Sequence, residues 1–176
     1  MIITIAGESG SGKTSIGKEL AKRLNYKFFS MGDIRGKIAQ ERGLTIDELN
    51  QLGEKERWTD TIIEDYQREL GKKEDNLILE GRLSWYCIPK SKKIFLYVDK
   101  KIGAERIFLN QRKDEKKANN IEEMIKIIGL RKKSDVRRYK KIYQINPYEK
   151  KHYDLVIDTT TKTLKEVCFI ILKEIK

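Results

Sequence analysis

Residues 7–14 have the sequence Gly-Glu-Ser-Gly-Ser-Gly-Lys-Thr, which is a complete G-x-x-x-x-G-K-[ST] motif. The apolar segment Ile2–Ala6 precedes this motif, and Ile16, Leu20 and Leu24 follow it at four-residue spacing. This context predicts a buried strand, a glycine-rich loop and the start of a helix. In such a loop, successive backbone N–H groups and the positive end of the helix dipole converge on an anion. We therefore expect a P-loop that binds a nucleoside triphosphate, rather than a chance turn rich in glycine and serine.

The residues of this loop have distinct expected roles. Lys13 is expected to reach the β- and γ-phosphates, and the Thr14 hydroxyl is expected to ligate Mg²⁺. The ATP-binding residues predicted in this region are Gly7, Glu8, Ser9, Gly10, Ser11, Gly12, Lys13, Thr14 and Ser15. Switches, motors and kinases all contain such a loop, so the motif by itself does not define the reaction.

Length, cysteine usage and apolar content limit the class of protein. The 176 residues fit one α/β domain. The apolar start is too short for a signal peptide, and no stretch approaches the roughly 18 apolar residues that span a bilayer. Cys87 and Cys168 lie far apart without a CxxC pattern, and His152 is the single histidine, which disfavours a histidine metal site. We expect a cytoplasmic protein with reduced cysteines and no membrane partner.

The net charge of +11 allows two explanations, a surface that binds nucleic acid or polyphosphate and a lysine-rich solvated surface. Lysine pairs such as Lys72-Lys73 and Lys116-Lys117 are scattered along the chain, which favours the solvated surface. The chain also lacks a basic strand interspersed with aromatic residues, the pattern of many RNA-binding proteins. We therefore expect no nucleic-acid partner.

Short apolar runs alternate with helical patterns, which predicts a parallel sheet. The predicted strands are Ile2–Ala6, Lys27–Ser30, Asn76–Glu80, Lys93–Val98 and Asp154–Asp158. Residues 32–73 predict helices and no strand, with a capping box at residues 45–48. Further helices are expected at residues 99–111, at residues 121–143 and from about Thr163 onward. The wholly polar residues 112–120 predict a mobile flap.

Charged residues follow the predicted strands, at the edge of a parallel sheet where ligands bind. Asp33 and Arg35 follow the second strand, and Glu80 and Arg82 come at the end of the third. Acidic residues beside a triphosphate predict outer ligands of Mg²⁺, and arginines predict a second phosphate. For Asp33 a helix N-cap is an equal alternative. For Arg82 the alternative is a surface arginine, although the preceding Gly81 favours close approach to a ligand.

The long predicted helix places Arg131, Asp135 and Arg138 at helical spacing beside its apolar face. Charged side chains that turn partly inward are costly without partners. A ligand could supply these partners, with phosphates for the arginines and sugar hydroxyls for the aspartate. The alternative is an internal Arg–Asp structural pair. Two groups of arginines facing one P-loop indicate phosphoryl transfer to a phosphorylated acceptor, because that reaction needs alignment and charge neutralisation.

The whole chain resembles the nucleoside monophosphate kinases, and most closely their compact cytidylate kinase-like branch. The motifs that carry this resemblance are Gly7–Thr14, Ser30-x-Gly32-Asp33, Glu80-Gly81-Arg82, Arg131-x-x-x-Asp135-x-x-Arg138 and Tyr153–Thr159. The resemblance implies a P-loop NTPase fold, a three-layer α/β/α sandwich with a five-stranded parallel sheet. It implies a single kinase domain over residues 1–176, with a helical acceptor-binding subregion at residues 31–75 and a lid at residues 112–120. It further implies an enzyme that transfers the ATP γ-phosphoryl group to CMP or dCMP with Mg²⁺. We expect this enzyme to be a monomer.

The resemblance also implies roles for individual residues on both substrate sides. On the acceptor side, it implies that Ser30 and Asp33 lie at the monophosphate site, with Asp33 also holding Mg²⁺ through water. The further acceptor-side residues it implies are Arg82 at the phosphate, Arg131 and Asp135 at the sugar, and Arg138 near the transferred group. On the donor side it implies that Arg106 packs on the adenine, that Arg112 begins the lid, and that the loop after Asp158 lines the adenine pocket. The expected catalytic residues are Lys13, Arg82, Arg112, Arg131 and Arg138.

The chain departs from the family pattern at three places. The family usually has an arginine six residues after the Ser30 position, where this chain has Gly36, so either Arg35 substitutes for it or binding of the acceptor phosphate is weaker. Glu80 replaces the usual aspartate. Leu83 replaces the acidic residue that recognises cytosine in larger relatives, and Trp85 either lines the base pocket or packs in the core. Two alternatives to a CMP kinase therefore stay open, a kinase for another nucleotide or small metabolite, and a non-catalytic protein that binds nucleotide together with RNA or a protein partner.

Overall fold

A computed structural model describes residues 1–111 and 116–175. Five parallel strands form one sheet in the order β2-β3-β1-β4-β5. The strands are β1 (Ile2–Gly7), β2 (Lys27–Ser30), β3 (Leu77–Glu80), β4 (Lys92–Tyr97) and β5 (Leu155–Asp158). In the register of the sheet, Ile5 of β1 lies between Glu80 of β3 and Ile94 of β4. The carboxyl ends of β1 and β3 are therefore neighbours.

All five predicted strands are confirmed, and their ends differ from the predicted ends by at most one residue. β3 begins one residue late because Asn76 has a left-handed φ of 57°, a conformation that does not continue a strand. The parallel pairing is also as expected for strands joined by helices.

Helices connect the strands, and one of them begins with the expected capping box. They are α1 (Lys13–Leu24), α2 (Met31–Glu41), α3 (Ile46–Gly53), α4 (Trp58–Lys73), α5 (Ser84–Cys87), α6 (Lys100–Phe108), α7 (Ile121–Tyr143) and α8 (Leu164–Glu174). Thr45 and Glu48 form the predicted capping box of α3. α6 ends at Phe108, before the predicted Gln111, and the bounds of α7 are those predicted from its periodicity.

The sheet is covered on both faces, which explains why its central strand consists almost entirely of buried residues. On one face, Ile3 and Ile5 of β1 pack with apolar side chains of α1 and α8, among them Leu20 and Ile171. On the other face, the neighbouring β3 residue Leu79 belongs to a second cluster with α2, α4, α5 and α7. These layers make the α/β/α sandwich that the resemblance implies. Within the described residues, none of the helices is long and apolar enough to cross a membrane.

Candidate functional site

The P-loop occupies the carboxyl end of β1, and two of its glycines have no room for a side chain. Gly7 has φ of 148°, and a Cβ there would lie 2.0 Å from the Leu96 carbonyl oxygen. Gly10 has φ of 80°, and a Cβ would lie 2.2 Å from the Gly103 carbonyl oxygen. The loop is therefore held against β4 and α6 by contacts that only glycine permits. Ser11 closes the loop from inside, with its hydroxyl donating to the Glu8 carbonyl at 2.8 Å.

Lys13, the first residue of α1, turns its ammonium group into this loop. Its Nζ donates to the carbonyl oxygen of Glu8 at 2.6 Å. Burial of the ammonium lowers the pKa of Lys13 to about 8, although the nearby carboxylates of Glu80 and Glu8 act in the opposite direction. Arg82 lowers the same pKa further by repulsion. Two cations thus lie close enough to repel each other, an arrangement that an oligophosphate would stabilise.

The next residue, Thr14, joins the P-loop to the end of β3. Its hydroxyl donates to Oε2 of Glu80 at 2.8 Å. A hydroxyl and a carboxylate side by side at a phosphate-binding loop are oxygen donors of the kind that Mg²⁺ prefers. This pair therefore fits the expected metal, with Glu80 replacing the family aspartate. The described residues contain no group of three or more His, Cys, Asp or Glu side chains that could hold a metal without a nucleotide.

Asp33 is the third residue of α2 and does not cap it. The N-cap is Ser30, whose hydroxyl accepts the backbone N–H of Asp33 at 3.3 Å. The N-cap alternative for Asp33 is therefore wrong, because the strand ends at Ser30 and the helix begins directly after it. The carboxylate of Asp33 stays in the first turn of α2, where the helix dipole stabilises a negative charge.

Arg82, Asp135 and Arg138 form one group of ion pairs, which we call the buried charge cluster. Arg82 contacts Oδ2 of Asp135, and Arg138 Nη2 donates to Oδ1 of Asp135 at 3.0 Å. Asp135 is 2% and Arg138 is 3% exposed. Tyr148 completes the group, since its hydroxyl donates to Asp135 at 3.0 Å and accepts from Arg82 at 3.3 Å.

The structure thus brings Arg82 together with the charged residues of α7, which the sequence predicted separately. The inward turn of Asp135 and Arg138 is confirmed, and the internal Arg–Asp pair that was the alternative to a ligand is also present. Burial would lower the pKa of Arg82, but Asp135 and Tyr148 outweigh that effect and raise the pKa well above its usual value. Arg138 has a second acidic partner, because its Nε also lies 2.9 Å from Oδ2 of Asp60 on α4. Arg82, whose side chain is 33% exposed, is therefore the cation of this cluster that an anion can reach.

Other predicted acceptor residues lie around this cluster. Arg35 Nε donates to Asn50 at 2.9 Å, and its Nη1 donates to the Thr59 carbonyl at 2.6 Å. Arg131 points toward the start of α3, where its Nη2 lies 3.6 Å from a carboxylate oxygen of Asp47. Arg131 is therefore directed to a different element from Arg138, although both lie on α7. Arg112 lies outside the described residues.

Arg106 connects the P-loop to the loop after β5. Its guanidinium donates to the carbonyl oxygens of Gly10 at 3.3 Å, Thr159 at 2.9 Å and Thr160 at 3.1 Å. These bonds place it beside both segments that were expected to surround the nucleotide. Stacking of Arg106 on an adenine stays a prediction.

Sequence reasoning missed two residues of this region, Asp60 and Tyr148. Asp60 is 1% exposed and lies on α4. A signal for it existed, because Asp60, Glu64 and Gln67 fall on the same face of α4 as the buried Ile63. Polar residues on the buried face of a helix need partners. Tyr148 follows no helical or strand pattern, so nothing in the local sequence marked it.

Trp85 packs in the core and is only 9% exposed. Its ring stacks on His152 at 4.4 Å between centroids, and its Nε1 donates to the Arg82 carbonyl at 3.1 Å. Of the two interpretations of Trp85, core packing is the one that these contacts support. Leu83 is also buried, at 2% exposure.

Comparisons with known proteins show the family and the fold of the chain. Residues 2–161 match the cytidylate kinase-like family. A cytidylate kinase from Methanocella arvoryzae is 38% identical over 181 residues, covering 99% of this chain and 97% of the relative. One from Archaeoglobus fulgidus is 33% identical, covering 100% and 95%. Among solved structures, a shikimate kinase from Bacteroides thetaiotaomicron has a TM-score of 0.66 at 16% identity, covering 99% and 98%, which shows a shared fold. Because the family match extends over residues 2–161 and relatives of 33% and 38% identity cover nearly the whole chain, the chain belongs to the cytidylate kinase-like family.

Proposed function

We propose that this chain is an ATP-dependent phosphotransferase that converts CMP or dCMP to CDP or dCDP. The observation that carries the proposal is the placement of Arg82. This arginine follows β3, whose end adjoins the P-loop, and it contacts Asp135 of α7. One residue thus connects the phosphate-binding loop with a second positively charged group. Relatives at 33% and 38% identity are named cytidylate kinases, which supports CMP as the acceptor.

On the donor side, the N–H groups of residues 7–15 would hold the ATP phosphates and Lys13 would neutralise charge on the transferred group. Thr14 and Glu80 would hold Mg²⁺, with Asp33 binding it through water. When bound, the metal supplies charge neutralisation at the β- and γ-phosphates. Among the described residues, Lys13 Nζ donates to the Glu8 carbonyl oxygen alone, so its other N–H donors would be available to phosphate oxygens.

On the acceptor side, we assign phosphate binding to Arg82 and Arg35, with Ser30 beside them. Arg35 is hydrogen-bonded to residues of α3 and α4. It would replace the arginine missing at Gly36 by binding phosphate through the guanidinium N–H groups that these bonds do not use. Asp135 and Arg131 would bind the sugar. Arg138 would stabilise the transferred group, since it shares Asp135 with Arg82.

The same proposal extends to the organisation of the molecule. We assign residues 1–176 to one kinase domain, with residues 31–75 as the acceptor-binding subregion and residues 112–120 as the lid that excludes water, Arg112 included. We propose a monomeric, cytoplasmic enzyme without nucleic-acid or membrane partners.

A coupled assay across acceptors tests the proposal. ADP release from ATP and Mg²⁺ is measured with CMP, dCMP, UMP, AMP, GMP and shikimate in parallel. We expect release with CMP or dCMP to exceed that with every other acceptor. Release with another acceptor but not with CMP or dCMP would sink the proposal in favour of a different small-molecule kinase. Absence of acceptor-dependent release, together with salt-sensitive RNA binding, would indicate a binding protein instead.

A further inference from the structure

Asp60 lies between two arginines that come from different helices. Its Oδ1 accepts from Arg35 Nη1 of α2 at 3.1 Å, and its Oδ2 accepts from Arg138 Nε of α7 at 2.9 Å. The Asp60 side chain is 1% exposed, and the side chains of Arg35 and Arg138 are 12% and 3% exposed. Each carboxylate oxygen therefore has its own guanidinium partner and is shielded from solvent.

Both arginines belong to the acceptor side proposed above. Through Arg138, Asp60 also connects to the buried charge cluster, because Nη2 of that guanidinium donates to Asp135. The result is an alternating series of charges in the order Arg35, Asp60, Arg138, Asp135 and Arg82. Three arginines share two aspartates in this series, so positive charge remains for an anion.

Stability alone does not explain such a series. Replacing a buried ion pair with packed apolar residues is often neutral or stabilising, because removing charges from water is costly. A planar guanidinium bound along one edge, however, has a fixed orientation for its remaining donors. Arg138 is bonded at Nε to Asp60, at Nη1 to Ser134 and at Nη2 to Asp135, so within the part of the chain that the structure describes one N–H of each Nη remains. Arg35 is bonded in the same part at Nε, twice at Nη1 and once at Nη2, so one N–H of its Nη2 remains for an acceptor.

We infer that Asp60 is a positioning residue for phosphoryl transfer, which orients Arg35 and Arg138 toward the acceptor without touching it. This inference rests on the proposed function, because that function supplies the phosphoryl acceptor that Arg35 and Arg138 would bind. Asp60 holds the two arginines in their orientation before the substrate binds, so little side-chain entropy is lost on binding. It also couples α2 and α7 across α4.

The variant Asp60→Asn keeps the shape of the side chain and removes its charge. The amide N–H₂ of the new asparagine then faces one of the two arginines. Because both groups are hydrogen-bond donors, that guanidinium turns away. We expect kcat/KM for CMP to fall on the order of 10²-fold, as misplaced groups commonly cause, while KM for ATP stays within about twofold. Glu64→Gln is the matched control in an assay at pH 8, where the Glu64 carboxyl, with its pKa of about 7, is mainly ionised, so that this variant also removes a buried charge one turn further along the same helix. It is expected to keep kcat/KM for CMP within about twofold.

The outcomes separate the two claims. If the unchanged protein does not turn over CMP, the proposed function fails. If the unchanged protein is active and Asp60→Asn has the same kcat/KM for CMP per folded molecule, with only a lower melting temperature, then Asp60 is structural and the inference is overturned. An equal loss of kcat/KM for CMP in Glu64→Gln would overturn it as well, because removing any buried charge from α4 would then be enough to lower activity.

If Asp60→Asn does not fold, the unchanged protein supplies the test. The Nε–H signals of Arg35 and Arg138 can be assigned in ¹⁵N spectra by arginine-to-lysine variants. We expect slow solvent exchange of the Arg138 Nε–H without nucleotide, because it is bonded to Asp60. We also expect both signals to shift on addition of CMP. Fast exchange of the Arg138 signal, or no shift at saturating CMP, would contradict the inference.

Discussion

Lys13 and Asp135 show how the surroundings of single residues determine what their charges can do. The Lys13 ammonium is enclosed by the P-loop, which lowers its pKa to about 8, and Arg82 increases the effect. Asp135 accepts bonds from Arg138 and from Tyr148 and contacts Arg82. Sequence alone predicted both residues, Lys13 from its motif and Asp135 from helical spacing. Arg138 lies three residues from Asp135 and was predicted with it, but Arg82 is more than fifty residues away and Tyr148 lies in an unpatterned loop, so no local pattern reveals those two partners.

The pKa of Lys13 predicts how ATP use depends on pH. In the enzyme without nucleotide, the ammonium loses its proton as pH rises through about 8, and kcat/KM for ATP is expected to fall above that pH. At saturating ATP, the phosphates favour the charged form, so kcat should stay constant to higher pH. Initial rates between pH 7 and pH 10 measure both profiles. A kcat/KM for ATP that is constant throughout this range would contradict the assigned role of Lys13.

Replacement of Asp135 tests the buried charge cluster. Asp135→Asn leaves two arginines with one partner fewer, so we expect KM for CMP to rise about tenfold or more with KM for ATP nearly unchanged. Stability should also fall, because a buried ion pair loses one charge. Steady-state kinetics and chemical denaturation measure the two effects, and Glu54→Gln at an exposed ion pair with Arg137 is the control. Lower stability with unchanged kinetics would show that Asp135 is only structural.

At the scale of elements, α7 was predicted completely because both of its ends have local causes. Asn120 accepts the N–H of Glu123 at 2.8 Å, and Gln144 ends the helix with a left-handed φ of 58°. α4 is different. Its polar residues on the buried face find their partners on other helices, such as Tyr143 of α7, whose hydroxyl donates to Glu64 at 3.0 Å. Pairing of this kind depends on the assembled fold and not on the sequence of either helix.

Glu64 makes the packing of α4 on α7 dependent on pH. Burial raises its pKa to about 7, and the nearby Asp60 carboxylate adds to the effect. The folded state then holds a proton that the unfolded chain has released, so stability falls as pH rises from about 4.5 to about 7. Glu64→Gln cannot ionise, so it should raise the melting temperature at pH 8 and give little or no increase at pH 5. Thermal unfolding at both values measures this, and an equal change at the two pH values would contradict it.

At the scale of the whole molecule, the sheet order brings the two halves of the site together. β1 pairs with β3, which places Glu80 beside Thr14 and sets Arg82 opposite α7. The sequence predicted the strands and the parallel direction, because each strand is a local apolar run. It did not predict the order of the strands, since strand pairing is a contact between distant segments. The family resemblance supplied the assignment of function that the strand pattern by itself could not.

The central claim is that one site receives ATP at the P-loop and a nucleoside monophosphate at Arg82 and its partners. Transfer of label from γ-³²P-ATP to CMP with Mg²⁺ tests it most directly, with products separated by chromatography. We predict label in CDP with the unchanged protein, and at least about 10²-fold slower labelling with Lys13→Met. Label that appears in inorganic phosphate or in another acceptor, with none in CDP, would contradict the account.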